Sequence, residues 1–253
     1  MKGLDIAVIG CGSAGPAAAL LLHRAGHQVR LFERVPELLP VGAGFMLQPS
    51  GLEVLETLGL LDEVLAHGAE VTRLHCQTKS GRRLLQLDYA EVASHAYGLG
   101  MHRATLLFLL VGALQDAGIT TELDCEVDDV EVGADHKATL AIGDRREGPF
   151  DLVVCCGGAR SSLRKARGPK HRADAYPWGA YWYICADHEG TFDGCLSQVV
   201  EGPTRMLGVL PTGRTLDDAT PLVSVFWSVE IVKAEALRAA GIDAFKEAVL
   251  DLN

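Results

Sequence analysis

The sequence predicts an α/β fold: a Rossmann-like dinucleotide-binding domain built on a parallel sheet, plus an antiparallel β-rich second domain. Three observations carry this. Ile6 to Ile9 is a short apolar run set directly against the glycine-rich turn Gly10-Cys11-Gly12-Ser13-Ala14-Gly15. An Ala- and Leu-rich segment then runs from Ala14 to Ala25, stops at Gly26, and gives way to a second apolar run at Val29 to Phe32. From Tyr176 onward, short apolar runs separated by Gly and Pro replace helical periodicity.

The first 33 residues therefore read as strand, tight turn, helix and strand, and such a β-α-β unit places its two strands parallel and buried. A glycine loop from Pro40 to Gly44 leads into an apolar periodic segment, Leu52 to Leu65, with the spacing of one helix. Alternation from Val71 to Leu87 around Ser80-Gly81 predicts an antiparallel hairpin, and a helix follows over Arg103 to Asp116, ending at Gly118. Residues 119–150 read as short strands joined by polar turns, and Asp151 to Cys156 as a continuous strand in which Cys155 and Cys156 are buried. Tyr181 to Cys185, Cys195 to Val200, Met206 to Leu210 and Leu222 to Val229 are strands of an antiparallel sheet, and Lys233 to Leu252 is an amphipathic helix. Residues 1–70 and 101–175 are assigned to the nucleotide domain, 71–100 and 176–253 to the second domain.

Composition excludes several function classes. The 253 residues are 48% hydrophobic and 22% charged with a formal net charge of −10, a balance that builds a globular core and offers no basic run to track a phosphate backbone. Nucleic acid is not an expected partner. The longest apolar stretch, Leu106 to Leu114, falls short of the roughly 18–20 residues a membrane span needs. Gly10, Gly12, Gly15 and Pro16 interrupt what would be the hydrophobic region of a secretory signal. Seven scattered cysteines without a Cys-x-x-Cys pair point to a reducing, cytoplasmic compartment. His23 and His27 stand four apart, but Gly26 separates them and no third ligand is near in sequence, so no metal site is expected.

The motif with most chemistry is Gly10-x-Gly12-x-x-Gly15. Gly10 allows the tight turn, Gly12 admits a pyrophosphate close to the backbone, and Gly15 permits close packing of helix on strand, while the helix start at Ser13 and Ala14 supplies free N–H groups. Glu33, eighteen positions beyond Gly15 at the end of the second strand, is placed to accept hydrogen bonds from an adenosine ribose and to repel a 2′-phosphate. An NAD-dependent dehydrogenase continues its sheet by further β-α units, whereas here a glycine loop, a helix and an antiparallel hairpin follow. FAD is the expected cofactor.

Three segments, in this order and separation, resemble the FAD-dependent monooxygenases that include para-hydroxybenzoate hydroxylase and the ubiquinone-pathway aromatic-ring hydroxylases. They are Gly10 to Gly15 with Glu33-Arg34, the loop Gly42 to Ser50 with Gly44 and Gln48, and Phe150 to Arg164. The resemblance implies a Rossmann-like FAD-binding domain, contact of Arg103 with the flavin phosphates, presentation of the Val127 backbone to adenine, and cofactor contact at Gly158. NAD(P)H and O2 would be co-substrates, and the product a hydroxylated ring. Where the family carries Asp-Gly, this chain reads Gly157-Gly158, which puts the handling of NAD(P)H in question. The family's later Gly-Asp segment is not reached, so the resemblance implies a C-terminally shortened chain with a partial flavin site. A flavin reductase, dehydrogenase or halogenase on the same scaffold, or an inactive nucleotide-binding fragment, stays open beside the hydroxylase.

All three tryptophans, Trp178, Trp182 and Trp227, lie in the later β-rich region with Tyr176, Tyr181 and Tyr183. A sheet with this content suits a planar aromatic substrate, with Trp227 and Tyr181 as the first expected pocket-facing residues; sheet core is the competing reading of each. No catalytic base is assigned.

Overall fold

The computed structural model describes residues 3–39, 42–166, 172 and 174–252. Pro40 and Val41, which open the expected glycine loop, and Asn253 lie outside the described residues. In chain order the first elements are β1 (Asp5–Ile9), α1 (Ala14–Arg24), β2 (Gln28–Phe32), β3 (Gly44–Leu47), α2 (Pro49–Thr57), α3 (Leu61–His67), β4 (Ala69–Thr78), β5 (Arg83–Asp88), β6 (Gly98–His102) and α4 (Arg103–Asp116). They are followed by β7 (Thr120–Glu122), β8 (Asp129–Val132), β9 (Ala138–Ile142), β10 (Arg145–Phe150), β11 (Leu152–Cys155) and α5 (Leu163–Ala166). The last are β12 (Trp178–Ala186), β13 (Gly194–Glu201), β14 (Arg205–Gly213), β15 (Leu222–Glu230) and α6 (Ala234–Leu252).

These elements form two compact units: Met1–Pro40 with Val54–Leu60 and Leu106–Ala173, and Val41–Glu53 with Leu61–Thr105 and Asp174–Asn253. The first unit contains a four-stranded sheet in the order β11-β1-β2-β7, and every pairing in it is parallel. Ile6, Ala7 and Val8 are at most 1% exposed, as expected of a central parallel strand covered on both faces. A three-stranded antiparallel sheet, β10-β9-β8, accompanies it. Phe32, Leu140, Phe150, Cys125 and Val127 belong to one buried cluster, so the Val127 side chain is committed to core.

The second unit is an eight-stranded sheet in the order β12-β15-β14-β13-β4-β6-β3, with β5 beside β4. It is antiparallel apart from the β13–β4 pairing, which is parallel; the chain reaches β13 from β12 by residues 187–193 and joins β4 from far back in sequence, a long-range pairing that no local period encodes. α6 covers one face, where Leu252, Trp227 and Leu207 form a buried cluster with Phe245 and Val249 packed on it.

Three local expectations need correction. The segment Leu52 to Leu65 is two helices, because Gly59 adopts φ +65° and ends the first with a left-handed turn. Likewise α6 is broken at Gly241, where φ is +83° and ψ 176°. Cys155 is exposed and Cys156 only half-buried, since β11 is an edge strand paired on one side by β1.

Candidate dinucleotide site

Four parallel strands in one sheet deliver their carboxyl ends to the same edge, and a ligand site in an open α/β sheet forms there. In the first unit, a cleft of about 240 Å³ is lined by segments that directly follow those ends: Gly10 and Gly12 after β1, Glu33 and Arg34 after β2, Cys125 to Val127 after β7, and Cys156 to Leu163 after β11. Its size is below the roughly 300–1,000 Å³ of complete small-molecule pockets, and suits one end of a dinucleotide.

The glycines divide the work by geometry. Gly10 has φ +104°, and a Cβ on it would lie 2.6 Å from the Cys156 carbonyl oxygen. A Cβ on Gly15 would lie 1.8 Å from the Gly10 carbonyl oxygen, so Gly15 is required by contact of the helix start with the loop itself. A Cβ on Gly12 would meet nothing within 4 Å: its bare face opens on the cleft, where only an incoming group needs the space. Ser13, at the head of α1, makes no side-chain cap hydrogen bond, and no acidic residue stands in the first turn. The first-turn N–H groups and the positive end of the helix dipole thus keep their affinity for an anion. Ser13 and Ala14 are exposed at this point.

Glu33 is anchored before any ligand arrives. One carboxylate oxygen accepts from the Cys11 N–H at 2.5 Å and the other from the Val35 N–H at 3.1 Å. This fixes the carboxylate at the lip of the cleft and leaves further lone pairs for hydroxyl donors. Burial, with the nearby Glu33 charge, pushes the Cys11 thiol up to about 11, so Cys11 stays a neutral thiol under the glycine loop. Arg34 is exposed on the rim with Arg160, and Glu126 adds a second carboxylate. At the far wall Gly158 has φ +74°, and its carbonyl accepts from the Ser161 N–H and from Arg164. A Cβ on Gly157 would stand 3.1 Å from the Ser161 hydroxyl, so the serine closes over the space a side chain there would take.

The remaining expected residues lie in the second unit. Gly44 is buried in β3, where a Cβ would lie 1.8 Å from Thr212 Cγ2, and its N–H donates to Ser224 Oγ at 2.8 Å; the sheet's own packing explains this glycine. Gln48 is exposed, its Oε1 accepting from the buried Tyr89 hydroxyl at 2.7 Å. Arg103 is exposed with its guanidinium carbon 5.7 Å from the Phe45 ring centroid. Glu126, Arg160 and Ser161 line the cleft without having been singled out as cofactor ligands; Glu126 adjoins Val127, and the other two sit inside the Phe150–Arg164 segment.

Of the two expected pocket-facing aromatics, the second unit's packing makes Trp227 sheet core. Trp227 is 5% exposed, 5.9 Å from Phe245 of α6, and the Tyr181 hydroxyl donates to the Ala234 carbonyl at 2.7 Å. Trp227 is core beneath α6, and Tyr181 is half-buried on the same face against it. Strand alternation turns their neighbours Trp182 and Phe226, a cross-strand pair, to the opposite face, and Trp182 is 43% exposed.

The fold and this cleft define a dinucleotide-binding α/β protein. Residues 3–223 match the family described as FAD binding domain, and the chain belongs to it. Among curated proteins it is 32% identical over 169 residues to a 3-amino-4-hydroxybenzoate 2-monooxygenase from Streptomyces cremeus, covering 65% of this chain and 42% of that one. It is 29% identical over 215 residues to an aurachin C monooxygenase/isomerase from Stigmatella aurantiaca, covering 84% and 55%. The chain thus spans about half the length of these relatives. Among solved structures, 2-methyl-3-hydroxypyridine-5-carboxylic acid oxygenase superposes with TM-score 0.75 at 23% identity, over 92% of this chain and 60% of that one. A probable FAD-dependent monooxygenase from Pseudomonas aeruginosa gives 0.75 at 22%, over 94% and 64%. These two likenesses establish the fold. No helix is long and apolar enough to cross a membrane, among the described residues.

Proposed function

We propose that this chain is the adenosine- and pyrophosphate-binding part, with a portion of the substrate domain, of an FAD-dependent monooxygenase that hydroxylates a small aromatic ring with NAD(P)H and O2. The observation that carries the reading is the cleft at the carboxyl edge of the parallel sheet, with Gly12 open to it and Glu33 pre-anchored on its lip. Bound FAD supplies the redox chemistry, taking electrons from the nicotinamide and activating oxygen. The chain's own residues bind and orient. The α1 N-terminus receives the pyrophosphate, Glu33 accepts from the ribose hydroxyls, the Val127 backbone faces the adenine, and Arg103, with Gln48, serves the flavin side.

The ranges 1–70 with 101–175, and 71–100 with 176–253, are proposed as the FAD and substrate domains. The substrate wall is assigned to the sheet face carrying Trp182 and Phe226, because the opposite face is filled by α6. The 3-amino-4-hydroxybenzoate in the name of one relative favours a planar ring already bearing a hydroxyl. Seven free thiols support a reducing compartment, the cytoplasm. Gly157 in place of a carboxylate supports a second reading, FAD binding without turnover by NAD(P)H.

Calorimetric titration of the chain with ADP and with FAD tests the site: saturable binding of both is expected, and no binding of either would overturn it. NAD(P)H oxidation coupled to oxygen uptake and a hydroxylated product separates the monooxygenase from the second reading.

A further inference from the structure

We propose that Arg145 is a positioning residue for the adenosine end of the cleft, holding the 122–127 wall in place through an ion-pair network anchored on Arg30. The inference rests on the dinucleotide reading of the cleft. Arg30, on β2, lies with its guanidinium carbon 5.0 Å from the Phe32 ring centroid and 5.6 Å from that of Phe150, so two buried rings fix its direction. It pairs with Glu122, the last residue of β7, and at 2.9 Å with Glu147 of β10. Arg145 completes a four-membered network, 3.4 Å from each of the same two carboxylates.

Arg145 also donates to Cys125 Sγ at 3.1 Å, and this contact makes the network more than a clip between sheets. Past the end of β7 the chain keeps pairing alongside the Glu33–Val35 segment, with Cys125 N–H donating to the Glu33 carbonyl and Asp124 N–H to that of Val35. Asp124 takes φ +54° there, a left-handed conformation unusual for a non-glycine residue. Cys125, Glu126 and Val127 then line the cleft. A segment in a strained turn needs an external restraint to keep one conformation, and the Arg145 fork supplies it by gripping the strand end and the cysteine together. A lysine keeps the charge but cannot span these acceptors at once.

The test compares the wild-type chain with Arg145→Gln, Arg145→Lys and Gly12→Ala, measuring ADP affinity by calorimetry, melting temperature, and amide hydrogen exchange. Both Arg145 variants are expected to weaken ADP roughly fivefold and to speed exchange across 123–127, while β1 and β2 exchange as in wild type. Wild-type ADP affinity in Arg145→Gln, with Gly12→Ala weakened, overturns the positioning role and leaves the site standing. Unchanged affinity in all variants overturns the site. Faster exchange spreading through β1 and β2 assigns Arg145 to general stability and also overturns the proposal.

Discussion

Gly12 and Gly15 belong to one motif, yet the structure forecasts opposite consequences for adding a methyl group to each. At Gly15 the new Cβ would lie 1.8 Å from the Gly10 carbonyl oxygen, where real contacts are essentially never under 3.0 Å, so backbone must retreat by more than an ångström. Overpacking of this kind destabilises by roughly 1–3 kcal/mol. For a domain of this size that is a fall of roughly 2–12 °C in melting temperature. At Gly12 the methyl meets nothing within 4 Å. With a backbone that alanine tolerates, Gly12→Ala should be neutral or stabilising by up to about 1 kcal/mol through the unfolded chain. Its effect falls on the ligand: the methyl holds the pyrophosphate off the loop, and loss of one hydrogen bond to a charged group weakens ADP by about tenfold or more. Thermal melts and ADP titrations of the two variants decide the matter. If Gly12→Ala melts normally and binds ADP like wild type, the phosphates do not lie over Gly12. If it melts as low as Gly15→Ala, the steric argument is wrong.

Trp227→Ala should destabilise the protein by roughly 3–5 kcal/mol, whereas Trp182→Ala, on the opposite face and partly exposed, should shift the melting temperature far less; equal losses would refute the assignment of faces. Glu33→Ala removes the acceptor of the Cys11 and Val35 N–H groups and is expected to lower both ADP affinity and melting temperature, with Glu33→Gln intermediate; calorimetry and melting of the same samples check it. Cys11 is raised from 9.0 to about 11, so its contribution is fully present below pH 9 and is lost as pH rises through 11. The wild-type melting temperature should fall over that window more steeply than that of Cys11→Ala, and parallel profiles would remove Cys11 as the cause.

The nucleotide end was legible because its signals are local. Strand, glycine turn, helix and acidic residue occupy one continuous stretch, and Gly10 and Gly15 have steric reasons in the structure, although Gly15 is needed by contact with the loop and not, as expected, by packing of helix on strand. The β13–β4 pairing was not legible, since two strands more than a hundred residues apart pair through tertiary packing. Nor was the break at Gly59: the apolar period continues through Leu61 and Leu65 in a second helix, and a glycine within a periodic segment reads equally as a tolerated helix residue. The burial of Trp227, for which sheet core was the competing reading, was left open for a related reason. Alternation says that adjacent strand residues face opposite ways, but which face α6 covers depends on a helix that follows in sequence and folds back.

The cleft shows why a glycine motif alone underdescribes such a site. Two of its four walls, after β1 and β2, come from the first 34 residues, and local spacing reveals them. The other two follow β7 and β11, which join the sheet at its opposite edges from around residues 120 and 155. Parallel order then brings Cys125 to Val127 and Cys156 to Leu163 to the same edge as Gly12 and Glu33, whatever their side chains. The placement of these two walls therefore depends on the strands and ties that aim them as much as on lining residues. Glu122 ends β7, Glu147 sits on β10 just before β11, and Arg30 joins them from β2. On the proposed reading, the adenosine end would be shaped partly by charges that never touch it.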